Sequence, residues 1–223
     1  DVLGGTPELI LRVEEKLAKL KVYIKTQKTS TAYFLNAGDS IEGFENTKSQ
    51  SFTNDLSLMD QLDLEATMEF SFLRLLRDTH NEVTSATVGS NHCAWRKGKG
   101  TLGRPRDDWG LYIQRQHKRL SDELGMGIKF YEPEAYSDSL ALDINGTIVG
   151  LVHGHQARPG RFSEYWKGQI HNGGALSMAD LIVSGHYHSL LIQPSGRNVY
   201  TGKPKWHLQA PTLDNGSSWF KNS

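Results

Sequence analysis

The chain has 223 residues, of which 37% are hydrophobic, and its 25 basic and 25 acidic side chains cancel. This length and apolar content suit a single domain with a sizeable core. Because the charges balance, a chain-wide cationic surface for nucleic acid is excluded, and any electropositive site must be local. One cysteine excludes an internal disulfide, and no apolar run reaches the roughly 18 residues of a membrane span. We therefore expect a soluble cytoplasmic protein with no membrane partner.

Helical and strand patterns alternate along the chain, which is typical of an α/β sheet protein. Apolar residues recur with helical spacing over 7–25, about 55–77 and about 107–124. Thr6 is the expected N-cap of the first of these helices, with Pro7 at its first helical position. The sequence thus predicts three helices of the kind that pack one face against a sheet.

Apolar runs typical of strands lie between and after these helices. They occur in the segments AYFLNAGD, VTSATVGSNH, LALDINGTIVGLVHGH and ADLIVSGHYHSLLIQ. The third segment predicts a hairpin with its turn at Asn145 and Gly146 and its second strand ending at His153, because Asn-Gly favours the tight turns of two-residue hairpins. The fourth predicts two strands around a histidine-rich turn.

Polar side chains follow these strands where each apolar run ends. They are Asp39, Asn91, His92, His153, His186 and His188. In an open α/β sheet, ligand sites form at the carboxyl ends of strands, so residues distant in sequence can meet there. A carboxylate, an amide oxygen and imidazoles together suit Zn, Mn, Fe or Ni better than calcium. The sequence therefore predicts a metal site.

Four short motifs give this pattern a family resemblance. GDSIEG (38–43), GSNHCAW (89–95), VHGH (152–155) and GHYH (185–188) resemble, in order, the GD, GNH, lone-His and GHxH motifs of the calcineurin-like metallophosphoesterases. The resemblance covers most of the chain. It implies a two-layered β-sandwich flanked by helices, formed by one domain over residues 1–223.

The resemblance also assigns a role to each polar residue. It implies two divalent metal ions, with Mn expected and Zn, Fe or Ni as alternatives, and attack on a phosphoester by a water that bridges them. Asp39 would bridge the ions, and His188 would bind the first of them. The second ion would be bound by Asn91, His153 and His186. His92 and Asn91 would be catalytic, with His92 contacting the scissile phosphate or its leaving oxygen.

Three features depart from the family pattern or extend it. His155 is either a substrate contact or a ligand in place of His153. Ser90 and Cys93 replace the usual neighbours of the Asn91-His92 pair, which removes no ligand. The first family motif, D-x-H, is missing from a sequence that opens Asp-Val-Leu without Met. We therefore expect the domain to be truncated at its N-terminus, and leave open a second truncation at its C-terminus.

The densest local charge lies in HCAWRKGKGTLGRPRDDWG (92–110), hereafter the basic segment. One cysteine beside one histidine does not supply the ligands of a zinc finger. Two interpretations remain: a solvated loop, or a set of phosphate-binding charges beside the metal site. The candidate substrate contacts are Arg96, Lys97, Lys99 and Arg104, in addition to His155.

The wider similarity is to phage-encoded relatives of the nuclease subunit of double-strand-break repair complexes. It implies a phosphodiesterase or nuclease, exonuclease activity included, acting on DNA in the host cytoplasm. A small-molecule or nucleotide phosphodiesterase is the alternative within this fold. A catalytically impaired, metal-poor binding or scaffold module is the alternative of another class. The sequence leaves a homodimer open.

Overall fold

A computed structural model describes residues 5–46, 50–97 and 100–213. Within these ranges the chain forms five helices: α1 Thr6–Thr26, α2 Gln50–Thr53, α3 Leu58–Thr79, α4 Trp109–Glu123 and α5 Phe162–Asn172. The three predicted helices correspond to α1, α3 and α4 and are confirmed. None of the helices in the described ranges is long and apolar enough to cross a bilayer.

Ten strands accompany these helices in the described part of the chain. They are β1 Thr31–Asn36, β2 Glu82–Thr87, β3 Arg96–Lys97, β4 Gly100–Thr101, β5 Lys129–Tyr131, β6 Ser139–Ile144, β7 Thr147–Val152, β8 Leu181–Ser184, β9 Leu191–Arg197 and β10 Pro204–Gln209. One sheet has the order β1-β2-β5 and is parallel throughout. The second has the order β6-β7-β8-β10-β9, with three parallel central strands and an antiparallel strand at each edge.

The two sheets pack face to face through a buried apolar layer. Ala86 and Val88, in and after β2, contact Leu140 and Leu151 of the second sheet. Helices cover the outer faces: α3 packs on the three-stranded sheet through a cluster that includes Leu73, and α5 packs on the five-stranded sheet through Trp166 and its neighbours. Burial of these side chains supplies the main favourable free energy of folding. The predicted two sheets flanked by helices are confirmed.

Local sequence signals account for most element boundaries, with one error. Asn145 and Gly146 form the predicted hairpin turn, both with positive φ (52° and 78°), between β6 and β7. Thr6 was expected to cap α1, but the cap is Gly5. The hydroxyl of Thr6 instead donates a hydrogen bond to Asp55 Oδ1 (2.7 Å), and its main-chain N–H donates to Oδ2 (2.8 Å). Thr6 thus bonds to Asp55, a residue distant in sequence, instead of capping the helix that begins beside it.

Candidate metal centre

The candidate site lies where loops from both sheets meet at the carboxyl ends of their strands. Asp39 follows β1 of the three-stranded sheet, whereas His153 follows β7 and His186 follows β8 of the five-stranded sheet. Each of the three offers a ligand atom, and these atoms lie within 4.8 Å of one another. Residues from three of the four motifs are therefore brought together by the packing of the sheets.

His153 organises the centre of this cluster and is completely buried. Its Nδ1 donates a hydrogen bond to the carbonyl oxygen of Ala37 (2.7 Å), so its Nε2 faces Asp39 Oδ2 (3.1 Å) and Asn91 Oδ1 (2.8 Å). Nε2 thus faces two acceptor oxygens, an arrangement that a bound cation would satisfy because all three atoms could then be its ligands. A backbone carbonyl that fixes one ring nitrogen, with the other directed at the ion, is the usual support of a metal-binding histidine.

His186 gives a second observation in favour of a cation. Its Nδ1 is buried and has no hydrogen-bond partner in the described part of the chain. Its ring centroid lies 5.0 Å from that of His153. One carboxylate, two imidazoles and the amide oxygen of Asn91 thus converge, and this donor set suits a divalent transition metal. The residues present therefore fit such an ion.

The backbone at this site is held in an uncommon conformation. Asp39, His186 and His188 have positive φ angles of 52°, 69° and 58°. A non-glycine residue in this region costs on the order of 1–3 kcal/mol, and such residues concentrate at functional sites. Gly38 also has positive φ, and a Cβ there would lie 2.6 Å from Cβ of Ser90. The loop therefore requires glycine before Asp39.

His92 lies beside the cluster rather than in it. Its main-chain N–H donates to Asp39 Oδ1 (3.3 Å), and its ring Nδ1 donates to the carbonyl oxygen of Glu42 (2.8 Å). Burial lowers its pKa, but the hydrogen bond to the Glu42 carboxylate and the charge of Asp39 outweigh this and raise the pKa of His92 to about 9. The imidazole is therefore protonated near pH 7 and can donate a proton.

The carboxyl group of Asp39 is ionised at neutral pH. Burial alone would raise its pKa, but the hydrogen bond and charge of His153, followed by the charge of His92, hold the pKa of Asp39 well below its usual range. A carboxylate that stays deprotonated in a half-buried place can act as a ligand without first losing a proton.

The two remaining histidines of the motifs lie at the edge of the cluster. The ring of His155 is 5.3 Å from that of His153 and 6.1 Å from that of His186, between centroids. Burial, and then the charge of His153, lower the pKa of His155 to about 4, so this ring is neutral at pH 7. His188 is not in the group of three ligands, although its charge acts on His186.

In the described part of the basic segment, Ala94 and Asp108 form an isolated antiparallel bridge, and β3 pairs with β4. Arg96 donates from its guanidinium to Asn46 Oδ1, and its charge contributes to the lowered pKa of His155. Lys97 is exposed on β3. Arg104 is also exposed and lies over the Tyr136 ring, 5.5 Å from its centroid. Lys99 lies outside the described residues.

Two residues at the site carried no role in the sequence prediction. Glu42 lies within the quoted GDSIEG motif, yet its bond to His92 depends on a chain reversal that the motif does not specify. Gln50 is 2% exposed, and its Nε2 lies 3.4 Å from His92 Nδ1. No local sequence pattern marks Gln50 as a site residue, because it reaches the site only through the position of α2 in the fold.

Comparisons with known proteins were made on sequence and on structure. No protein-family model and no curated protein matches the sequence. A single-mutant form of Vps29 from Entamoeba histolytica aligns with a TM-score of 0.35 and 15% identity over 89% of this chain and 67% of that chain. Wild-type Vps29 complexed with Zn²⁺, from the same organism, aligns with a TM-score of 0.33 and 15% identity over 84% and 76%.

A third structure is a conserved uncharacterised protein, described as a predicted phosphoesterase, from Streptococcus pneumoniae. It aligns with a TM-score of 0.33 and 11% identity over 83% of this chain and 75% of that chain.

Proposed function

We propose that the chain is a dinuclear-metal-dependent phosphodiesterase that cleaves DNA. One observation carries the proposal: the ligand atoms of Asp39, His153 and His186 lie within 4.8 Å of one another at the seam between the two sheets. These three residues come from three motifs that resemble those of the metallophosphoesterases. The fourth motif contributes Asn91, whose Oδ1 lies 2.8 Å from His153 Nε2.

Each residue of the cluster would have a distinct part in binding metal. Asp39 would supply the negative charge and, as a carboxylate, could be shared by a pair of ions. His153 and His186 would supply imidazole nitrogens, and Asn91 would supply an amide oxygen. Bound divalent ions would polarise the phosphoryl oxygens and lower the pKa of the attacking water.

His92 is the residue best placed to protonate the leaving oxygen. It is protonated near pH 7, its side chain is 19% exposed, and its ring is oriented by Glu42. A DNA leaving group is an alkoxide that requires a proton, whereas p-nitrophenolate leaves readily without one. Loss of a general acid costs about 10²–10⁴-fold where the proton is needed. The effect of removing His92 should therefore depend on the leaving group.

DNA as the substrate is supported by the charges of the basic segment. Arg96 lies close enough to His155 for its positive charge to help lower the pKa of that ring, and Lys97 and Arg104 are exposed on the same segment. Cationic side chains of this segment would bind the phosphates that flank the scissile bond. In a chain without net charge, this local patch is the feature that favours a polyanionic substrate.

The test compares wild type with His92→Ala on two substrates in the presence of Mn²⁺. We expect wild type to cleave single-stranded DNA and bis-p-nitrophenyl phosphate. His92→Ala should lose at least about 10²-fold on DNA, lose much less on the aryl diester, and keep its bound metal. His171→Ala, at an exposed histidine away from the cluster, is the matched control.

Three other outcomes would replace the proposal. Cleavage of the aryl diester without cleavage of DNA would indicate a small-molecule phosphodiesterase. A folded wild-type protein that binds no Mn²⁺ and cleaves neither substrate would indicate a binding module. Loss of metal from His92→Ala would make His92 a ligand rather than a proton donor.

A further inference from the structure

A buried polar cluster lies under the loop that carries Asp39. It consists of Asn36 at the end of β1, Glu69 on α3 and His117 on α4, and we call it the Asp39 clamp. Glu69 and His117 are each 3% exposed. A carboxylate and an imidazole in such a place are costly to bury, and apolar side chains of similar size would pack there without that cost. Packing alone therefore does not account for them.

Asn36 binds the loop on both sides of Asp39. Its Oδ1 accepts a hydrogen bond from the main-chain N–H of Gly38 (2.9 Å), and its Nδ2 donates to Ser40 Oγ (3.0 Å). Asp39 lies between these two anchors with its φ of 52°. The side chain of Asn36 thus supports the conformation that directs the Asp39 carboxylate toward His153.

Glu69 determines which way the Asn36 amide faces. Its Oε2 accepts a hydrogen bond from Asn36 Nδ2 (3.2 Å). The Oε2 oxygen accepts this bond, so the NH₂ group of Asn36 faces Glu69. The amide oxygen is then left for the N–H of Gly38. With the amide reversed, its oxygen would face the carboxylate and its NH₂ would face that N–H.

His117 supports Glu69 from the far side. Its Nε2 donates to the carbonyl oxygen of Ala66 (2.9 Å), so the ring cannot turn away. Its Nδ1 lies 3.7 Å from Glu69 Oε1, and neither atom has a hydrogen-bond partner in the described part of the chain. The fixed imidazole therefore places a polar atom, rather than an apolar one, against the buried carboxyl group of Glu69.

We propose that Asn36 and Glu69 are positioning residues that hold Asp39 in its metal-facing conformation, with His117 stabilising Glu69. The inference rests on the proposed function, because it takes Asp39 to be a metal ligand. Residues that orient a ligand are typically worth about 10–100-fold in metal affinity. The clamp extends the functional site from the loops into the interface between α3, α4 and β1.

The test measures the Mn²⁺ dissociation constant, the melting temperature and the hydrogen-exchange rate of the Gly38 amide. Asn36→Leu and Glu69→Leu should raise the dissociation constant about 10–100-fold and speed the exchange. Glu69→Gln keeps an acceptor for Asn36 and should recover part of both losses. Leu73→Ala, at a fully buried apolar residue of the same helix, should lower the melting temperature without changing Mn²⁺ affinity.

The outcomes separate the clamp from general destabilisation. Unchanged Mn²⁺ affinity and unchanged Gly38 exchange in Asn36→Leu would overturn the inference, as would an equal loss of affinity in Leu73→Ala. Glu69→Gln is the mildest change. If the leucine variants do not fold, its Mn²⁺ affinity and its Gly38 exchange rate test the inference in their place. If wild type binds no Mn²⁺, the proposed function fails, while the Gly38 exchange rates still support or overturn the clamp.

Discussion

The Nδ1 of His153 lies 2.7 Å from the carbonyl oxygen of Ala37, which joins the end of β7 in one sheet to the loop after β1 in the other. The candidate metal centre therefore sits on the seam of the sandwich, and neither sheet contains it alone. Because this bond orients the ring before any ligand arrives, the site is organised in advance by the folding of the two sheets.

Replacement of Asp39 by Asn should remove metal binding with little change in shape. The amide keeps one oxygen but loses the charge, and its NH₂ group would compete for the place of the cation. We expect the Mn²⁺ dissociation constant of Asp39→Asn to rise by more than the 10–100-fold typical of supporting residues. Calorimetric titration measures it, with His171→Asn as control. Unchanged metal stoichiometry and affinity would exclude Asp39 as a ligand.

The sequence predicted those parts of the fold that depend on local physics. The Asn145-Gly146 turn requires only positive φ at neighbouring residues, which Asn and Gly adopt readily. The helix α5 was not predicted. Its buried residues are Phe162 and Trp166, and its N-cap, Arg161, makes no side-chain capping hydrogen bond, so neither a long apolar stripe nor a cap marks it.

The site could be predicted only as far as its motifs extend. Asp39, His153 and His186 were named from the ends of apolar runs, because carboxyl ends of strands meet in this class of fold. The contact of Gln50 with His92 and the contact of Glu69 with Asn36 depend on how α2 and α3 pack. Such contacts follow from tertiary structure, and no spacing in a single sequence encodes them.

His207 should make the protein sensitive to acid. It is 1% exposed, its Nε2 lies 2.8 Å from Ser184 Oγ, and its ring stacks on Phe162. Burial lowers the pKa of His207 from 6.5 to about 4. The unfolded chain therefore binds this proton below pH 6.5 while the folded chain does not. Stability from the neutral ring is complete above pH 6.5 and is lost as the pH falls toward 4.

Denaturant unfolding of wild type and His207→Gln at pH 7 and pH 4.5 measures this contribution. Gln can bond Ser184 but does not titrate. The advantage of wild type over the variant should shrink at pH 4.5 by on the order of 2–3 kcal/mol. An equal loss of stability in both proteins would assign the acid sensitivity to other groups.

Glu65 should have the opposite effect on the pH dependence of stability: it should make the protein sensitive to base. Burial, followed by the charge of Glu69, raises the pKa of Glu65 from 4.5 to about 8. The folded chain holds this proton more tightly than the unfolded chain, so the contribution to stability is complete below pH 4.5 and is lost as the pH rises toward 8. Glu65→Gln should therefore gain stability over wild type between pH 5 and pH 9. Unfolding at the two pH values tests this, with the exposed Glu82→Gln as control.

Lys97 and Arg104 should determine the salt dependence of DNA cleavage. Each phosphate contact contributes about 0.7 to the slope of log affinity against log salt for single strands. Replacing both residues by Ala should flatten that slope by about 1–1.5 for single-stranded DNA, and raise its KM at low salt.

The same double variant should hydrolyse bis-p-nitrophenyl phosphate like wild type, because a small diester has no flanking phosphates for Lys97 and Arg104 to bind. Lys19→Ala removes an exposed charge from α1, far along the chain from the motifs, and should leave the slope unchanged. Equal losses on DNA and on the small diester would mean that the two side chains support the catalytic centre itself. The nucleic-acid assignment of the basic segment would then be wrong, while the metal-dependent hydrolysis would stand.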